Sequence, residues 1–294
     1  MERDDAAARA AAEIAAAFAE RPEVLAVALG GSRSTGAADP GSDIDLYIYD
    51  ERDVPAEFRA ALARGRSSRD EIGNRFWELG DEWDDTLAGV HVDVMHRSPA
   101  WAEGELARVL DRHEARLGYS TCFWHNIATC RPLFDRAGWF ADLQRSAGRP
   151  YPEPLVRSIL ALNHPVLRDV FSSYRAQIGA AAARGDRVSV NHRTAAFLAS
   201  AFDVLFALNR TPHPGEKRLA RAAAALPEVP TGFGAAVEGL LAANGRAEAL
   251  AAIDAVCDGL DEAVRRLAWR ASPGPAERAG TAPTCGAAAA RPSG

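Results

Sequence analysis

The chain is nearly devoid of lysine: its 294 residues include one, Lys217, so its positive charge is almost wholly arginine. It also lacks a basic surplus, with a net charge of −6, which argues against a dedicated nucleic-acid binder carrying a basic face. No run of about 18 apolar residues occurs, so no membrane span is expected. The N-terminal "MERDDAAARAAAEIAAAFAE" carries acids from its second residue and lacks the basic start and unbroken apolar stretch of a secretory leader. Cys122, Cys130, Cys257 and Cys285 match no zinc-ligand spacing, which leaves them as free thiols of a cytoplasmic protein. What is present is ordinary for a globular chain, 48% hydrophobic and 25% charged, long enough for one large or two medium domains.

Strand-like runs gather in the first half. "EVLAVAL" (23–29) is a short apolar run ended by Gly30 and Gly31, as expected of a buried strand. "DIDLYIY" (43–49) alternates, with Ile44, Leu46 and Ile48 on one face and Asp43, Asp45, Tyr47 and Tyr49 on the other. "GVHVDVMH" (89–96) alternates again, turning Val90, Val92 and Val94 inward and His91, Asp93 and Met95 outward. Helices are expected at 1–20, 56–65 and 100–116, then an element of open type at "YSTCFWHNIAT" and an extended start to "RPLFDRAGWFADLQRSAG".

The texture changes after "GRPYPEP" (148–154), where alanine-, leucine- and arginine-rich segments repeat at helical spacing. They predict helices at 155–183 (broken near Asn163–Pro165), 188–209, 216–226, 233–243 and 246–269. The expected layout is an α+β domain with a mixed sheet over 1–148, an all-α helical bundle over 149–271 and a low-complexity, disordered tail over 272–294.

The chemistry concentrates between Gly30 and Asp93. The spacing of Gly31 and Gly36 suits a phosphate loop of the Walker type, but Ala37–Ala38 stand where that loop needs lysine and a hydroxyl. Asp43 and Asp45 are placed on one face of a strand, roughly 6–7 Å apart. Taken singly, the pair could be the solvated face of an edge strand, and Asp93 could pair with an arginine. Three acids inside alternating strands, downstream of a Gly-Gly-Ser turn, instead suit a pair of divalent metals.

Gly31-Ser32, ten intervening residues, then Asp43-Ile44-Asp45 and a later strand aspartate, Asp93, together resemble the signature of the DNA polymerase β-like nucleotidyltransferase superfamily. The "GS…SDIDL" form, Ser42 included, is most similar to small bacterial members, the antibiotic-modifying enzymes and the minimal antitoxin types. The resemblance implies that Gly30, Gly31, Ser32, Arg33 and Ser42 hold a nucleoside triphosphate. It implies further that Asp43, Asp45 and Asp93 bind two Mg²⁺ ions and carry catalysis, and that Lys217 reaches the triphosphate from the helical half. Many small members read Gly-Ser-x-Ala-Arg-Gly. Here Ser34-Thr35-Gly36 stand at the last three positions, and Arg33 would have to serve for the missing arginine.

The expected reaction is transfer of a nucleoside monophosphate, AMP from ATP or its equivalent from another triphosphate, to a hydroxyl of a small molecule. The segment "RFWELGDEWDDTLAG" (75–89) reads as a loop gathering Trp77, Glu78, Asp81, Trp83, Asp84 and Asp85. Such a loop suits a cationic or sugar-like acceptor, or else supplies core tryptophans with a solvated acidic turn. A protein or RNA acceptor, or a catalytically idle nucleotide-binding protein, are the alternative readings. The absence of a basic face disfavours RNA.

Overall fold

In the computed structural model, residues 2–36, 38–39, 41–76, 78–243 and 248–271 are described. The chain runs α1 (Glu2–Ala19), β1 (Val24–Leu29), α2 (Gly31–Ser34), β2 (Ile44–Asp50), α3 (Ala56–Arg64), β3 (Ser67–Asn74), β4 (Leu79–Asp85), β5 (Val90–Arg97), α4 (Pro99–Leu110), α5 (Cys122–Thr129), β6 (Arg131–Asp135) and α6 (Trp139–Ala147). Helices then follow one another: α7 (Glu153–Asn163), α8 (Pro165–Arg168), α9 (Tyr174–Ala183), α10 (Arg187–Leu208), α11 (Leu219–Ala224), α12 (Phe233–Ala243) and α13 (Glu248–Ala271). The tail expected from Ser272 lies outside the described residues.

The strands form one sheet in the order β3-β4-β5-β2-β1-β6, mixed as expected. Only β2 and β5 pair in parallel; the other neighbours are antiparallel. Alternation explains how the central strands can be buried on both sides. Val27, Leu29, Ile44, Leu46, Ile48, Val92 and Val94 share one core with Ile14 and Phe18 of α1. Ala26, Ala28, Tyr47 and Tyr49 share the opposite core with Leu106 of α4, Trp124 and Ile127 of α5 and Phe140 and Leu143 of α6. The alanine-rich α1 fits this sheet because Ala7, Ala10, Ala11, Ile14 and Phe18 recur at helical spacing and all are buried.

Three expectations change. The acidic segment at 75–89 is not simply a loop: its centre, Leu79–Asp85, is β4, paired with β3 on one side and β5 on the other. Its alternate residues Asp81 (1% exposed), Trp83 (2%) and Asp85 (2%) point into the α1/α3 core. Two arginines neutralise the acids there, Arg59 on Asp81 and Arg66 on Asp85, so burial that would otherwise be costly is tolerated. Trp83 is thus a core residue, and Trp77 lies outside the described residues. The helix expected over 100–116 ends at Leu110, where the Arg108 guanidinium folds the chain back by donating to the Glu114 and Ser120 carbonyls at 2.6 and 2.7 Å. The helix expected from 216 starts only at Leu219, because Arg218 adopts a left-handed backbone, φ +56°. The open element at 119–129 resolves as helix α5.

A buried polar joint ties the sheet half to the helices. Asn163 of α7 accepts the Gly118 N–H at 2.8 Å and donates to the Arg116 carbonyl at 2.8 Å and the Asp203 carboxylate at 3.3 Å. Asp203 of α10 in turn accepts the Ser120 N–H at 3.1 Å. Burial pushes the Asp203 carboxyl up to about 6. Asn163→Ala would strand a buried N–H and a carbonyl and thin the contacts of a buried acid. It is expected to cost about 2–4 kcal/mol, a fall of roughly 5–10 °C in melting temperature. Thermal denaturation checks this, and a change below 1 °C would show the joint to be dispensable.

Candidate active site

The site starts where β1 ends. The Gly30 N–H donates to the Asp45 carbonyl at 2.8 Å, fastening the turn to β2. Gly31 has φ +60° and opens the single helical turn α2. Neither position has room for a side chain. A Cβ on Gly30 would overlap the Tyr47 ring, and one on Gly31 would overlap the Asp45 carboxylate. The two glycines are therefore required by what β2 presses against them. Arg33 donates to the Ser42 carbonyl at 3.1 and 2.7 Å and to the Asp43 carbonyl at 3.0 Å. There it clamps the turn to the entrance of β2. Thr35, at the position where similar sequences carry arginine, donates to the Ser32 carbonyl at 3.3 Å.

Strand β2 begins at Ile44, so Asp43 precedes it and is exposed, while Asp45 is half-buried within it. The parallel register puts Asp45 directly beside Asp93 of β5. Antiparallel register then puts Glu82 of β4 beside Asp93 and Glu71 of β3 beside Glu82. Four carboxylates thus stand in one row across four strands. Burial, then the neighbouring Asp45 and Glu82, pushes the Asp93 carboxyl up to about 6. Burial chiefly raises Asp45 as well, Asp43 adding to it and Lys217 opposing it. Among the described residues, Asp45 and Asp93 have no ion-pair or side-chain hydrogen-bond partner, whereas the buried Asp50, Asp81 and Asp85 each face His96 or an arginine.

Beside this row lies a cavity of about 690 Å³. Gly31, Ser32, Thr35, Ser42, Asp43 and Asp45 form one wall, His125, Asn126 and Thr129 of α5 another, and Pro214–Arg218 with Arg221 a third. The structure therefore places Lys217, from the helical half, in the lining of the cavity that Asp43 and Asp45 also line. Its segment is pinned from below. The His213 N–H donates to Thr121 Oγ1 at 2.8 Å, and its Nδ1 accepts the Gly215 N–H at 3.0 Å. Burial holds the His213 ring far below its ordinary range, at about 4, so it stays a neutral acceptor. Across the mouth, Arg218 pairs with Asp39 of the turn.

Tyr47, His125, Asn126, Thr129, Arg221 and Glu82 were not legible as site residues. Of these, only the strand period could have flagged Tyr47, which shares its face with Asp45. His96 turns to the opposite face, where its Nδ1 lies 2.7 Å from Asp50 in the core. His91 lies 3.1 Å from Asp84 at the surface end of the row.

The donor set suits a hard divalent cation. All its groups are carboxylate oxygens, two of them part-buried, mutually repelling and without a cation of their own, and Gly31 leaves open the space that the Asp45 carboxylate fills. Among the described residues no three His, Cys, Asp or Glu side chains are grouped so as to hold a metal ion by themselves. A metal here would complete its coordination with water and substrate oxygens, as Mg²⁺ commonly does.

Residues 11–115 match the family model of the nucleotidyltransferase domain, a span from α1 past β5 that contains the whole carboxylate row. No curated protein matches the chain. Among solved structures, a nucleotidyltransferase-like protein from Exiguobacterium sibiricum is similar at 12% identity, covering 88% of this chain and 74% of its own, with a TM-score of 0.42.

Proposed function

We propose that this chain, which carries a nucleotidyltransferase domain, moves a nucleoside monophosphate from a nucleoside triphosphate, ATP in the first instance, to a hydroxyl of a small cationic or sugar-like molecule. One observation carries the reading. Asp45 and Asp93 stand side by side at the centre of the sheet, with different surroundings on their two flanks. Towards β1 lies the cavity with the glycine turn and Lys217, fit for a polyphosphate. Towards β3 lie Glu82 and Glu71, with Asp84 and His91 beside them around a smaller hollow.

Asp43, Asp45 and Asp93 would hold Mg²⁺, which when bound neutralises charge on the attacking and departing oxygens. The chain's own residues do the rest. The Gly31–Ser32 turn and Lys217 hold the phosphates in place and offset their charge. The acceptor oxygen forms a bond to the α-phosphorus as the bond from that phosphorus to the β-phosphate's bridging oxygen breaks, and pyrophosphate leaves. Asp93, at the junction of the two flanks, is the carboxylate placed to take the hydroxyl proton. The acidic flank attracts a cationic acceptor and repels the phosphate backbone of a nucleic acid. Among the described residues no helix is long and apolar enough to cross a membrane, and the use of ATP and Mg²⁺ fits the cytoplasm.

The test is to incubate the protein with Mg²⁺, each of the four triphosphates and three acceptor sets: hydroxylated polyamines and amino sugars, neutral sugars, and RNA. Pyrophosphate release and product mass are the readouts. The expected result is one nucleoside monophosphate added to a cationic hydroxyl compound. Addition to RNA, or tight triphosphate binding with no release for any acceptor, would overturn the reading.

A further inference from the structure

Helix α5 belongs to no recognised pattern of the sequence, yet it forms a wall of the cavity. Its Asn126 stands there beside Tyr47 and His125. Behind Asn126 is Arg97, 8% exposed at the end of β5. Arg97 Nε and Nη2 donate to Glu78 at 2.7 and 3.1 Å, and Nη1 donates to Asn126 Oδ1 at 3.1 Å. Its guanidinium also lies 4.1 Å from the centre of the Tyr47 ring, 5.1 Å from that of Trp101 and 5.4 Å from that of Phe123. This arginine is fixed on every side.

Its chemistry fixes Asn126 in turn. A guanidinium carries donors only, so the atom facing it must be the amide oxygen of Asn126. The orientation of an asparagine amide is ordinarily a matter of choice between two ends; here one end is excluded. The amide nitrogen is thereby turned away from Arg97, in a residue that lines the cavity together with Tyr47.

Resting on the reading that the cavity holds a triphosphate, we propose that Asn126, oriented by Arg97, reads the nucleoside: its N–H donates to an acceptor oxygen on that half of the substrate. Such an oxygen is a sugar hydroxyl in ATP, whose adenine carries no carbonyl, or a base carbonyl in a guanine, cytosine or uracil nucleotide. The phosphates belong with Gly31, Ser32 and Lys217 on another wall, and the acceptor molecule with the acidic flank across the Asp45–Asp93 pair. Asn126 is a binding residue and Arg97 a positioning residue behind it.

Equilibrium binding to the full chain tests this, using Mg²⁺ complexes of ATP, GTP, 2′-deoxy-ATP, 3′-deoxy-ATP and inorganic tripolyphosphate. Asn126→Asp retains the shape and keeps Arg97 satisfied, but offers an oxygen where the N–H stood. It is expected to weaken ATP binding at least about 10-fold and to weaken tripolyphosphate binding, which meets only the added negative charge, markedly less. Arg97→Lys, which lacks the forked donor geometry, should reproduce that selective loss. If a deoxy analogue binds the wild-type protein as weakly as ATP binds Asn126→Asp, the acceptor is that sugar hydroxyl. If the variant instead weakens GTP more than ATP, it is a base carbonyl. Equal weakening of ATP and tripolyphosphate, or no change in either, would overturn the proposal. A wild-type protein that binds neither would overturn the functional reading as well.

Discussion

Replacing either central aspartate of the carboxylate row, Asp45 or Asp93, by asparagine is expected to stabilise the metal-free protein while abolishing the proposed transfer. Asp45 and Asp93 are part-buried, adjacent in register and without a cationic partner among the described residues. For Asp93 the folded carboxyl sits at about 6 against an ordinary 3.8, so folding is penalised as pH rises from 3.8 through 6 and is penalised fully above that. The shift would correspond to about 3 kcal/mol, which exposure and solvent screening reduce to about 1 kcal/mol. Asp93→Asn should therefore melt roughly 2–4 °C higher than wild type at pH 8 in EDTA, with no advantage at pH 3.5. Activity should fall on the order of 10³-fold, because an amide neither draws in the metal nor takes a proton. Adding Mg²⁺ should stabilise wild type and not the variant. A lower melting temperature for Asp93→Asn in EDTA at pH 8 would mean that the carboxylate has a stabilising partner after all.

Gly31→Ala should damage activity far more than stability. The left-handed backbone costs an alanine about 1 kcal/mol. The larger effect is spatial: the new methyl group would overlap the Asp45 carboxylate. The carboxylate is the end of a side chain and can swing aside, so the fold survives with a loss of about 1–2 kcal/mol. The displaced oxygen would then miss the metal proposed for this site, and a misplacement of about 1 Å suffices for a loss on the order of 10²-fold in kcat. Gly36→Ala is the control. It too has positive φ, +72°, but open space beside its Cα, so it should share the stability cost and keep the activity. Comparable loss of activity in both variants would show that backbone strain, and not the fit against Asp45, is what matters.

What could be read in advance divides by physical origin. β1 announces itself as an unbroken apolar run, β2 and β5 by apolar alternation, and the helices after 153 by their spacing. β3 and β4 do not: "SSRDEIGN" and "LGDEWDD" have little apolar alternation. Their stability comes from pairing outward from β5 and from the Arg59–Asp81 and Arg66–Asp85 contacts. Those partners are distant in sequence, so nothing local signals a strand. The same holds for the site. The glycine turn and the three aspartates form a local pattern, and Lys217 was marked by its singularity. Asn126, His125 and Thr129 come from a helix with no signature, and Glu82 joins the row only through the register of β4 against β5. Arg33, to which the resemblance gave a nucleotide-binding role, holds the Ser42 and Asp43 carbonyls in this fold.

The fit between the glycine turn and β2 also has a meaning for engineering and for sequence drift. Gly30 is shaped by Tyr47, and Gly31 by Asp45; the two elements interlock like a key and its ward. A graft that carried the turn alone into another sheet would arrive without the surface that defines it, so these four residues form the smallest transplantable part. Between them, Gly36 and Gly41 border open space, while Arg33 holds the Ser42 and Asp43 carbonyls and Asp39 meets Arg218. Relatives of this chain are better sought by that four-residue fit in space than by a fixed interval in sequence.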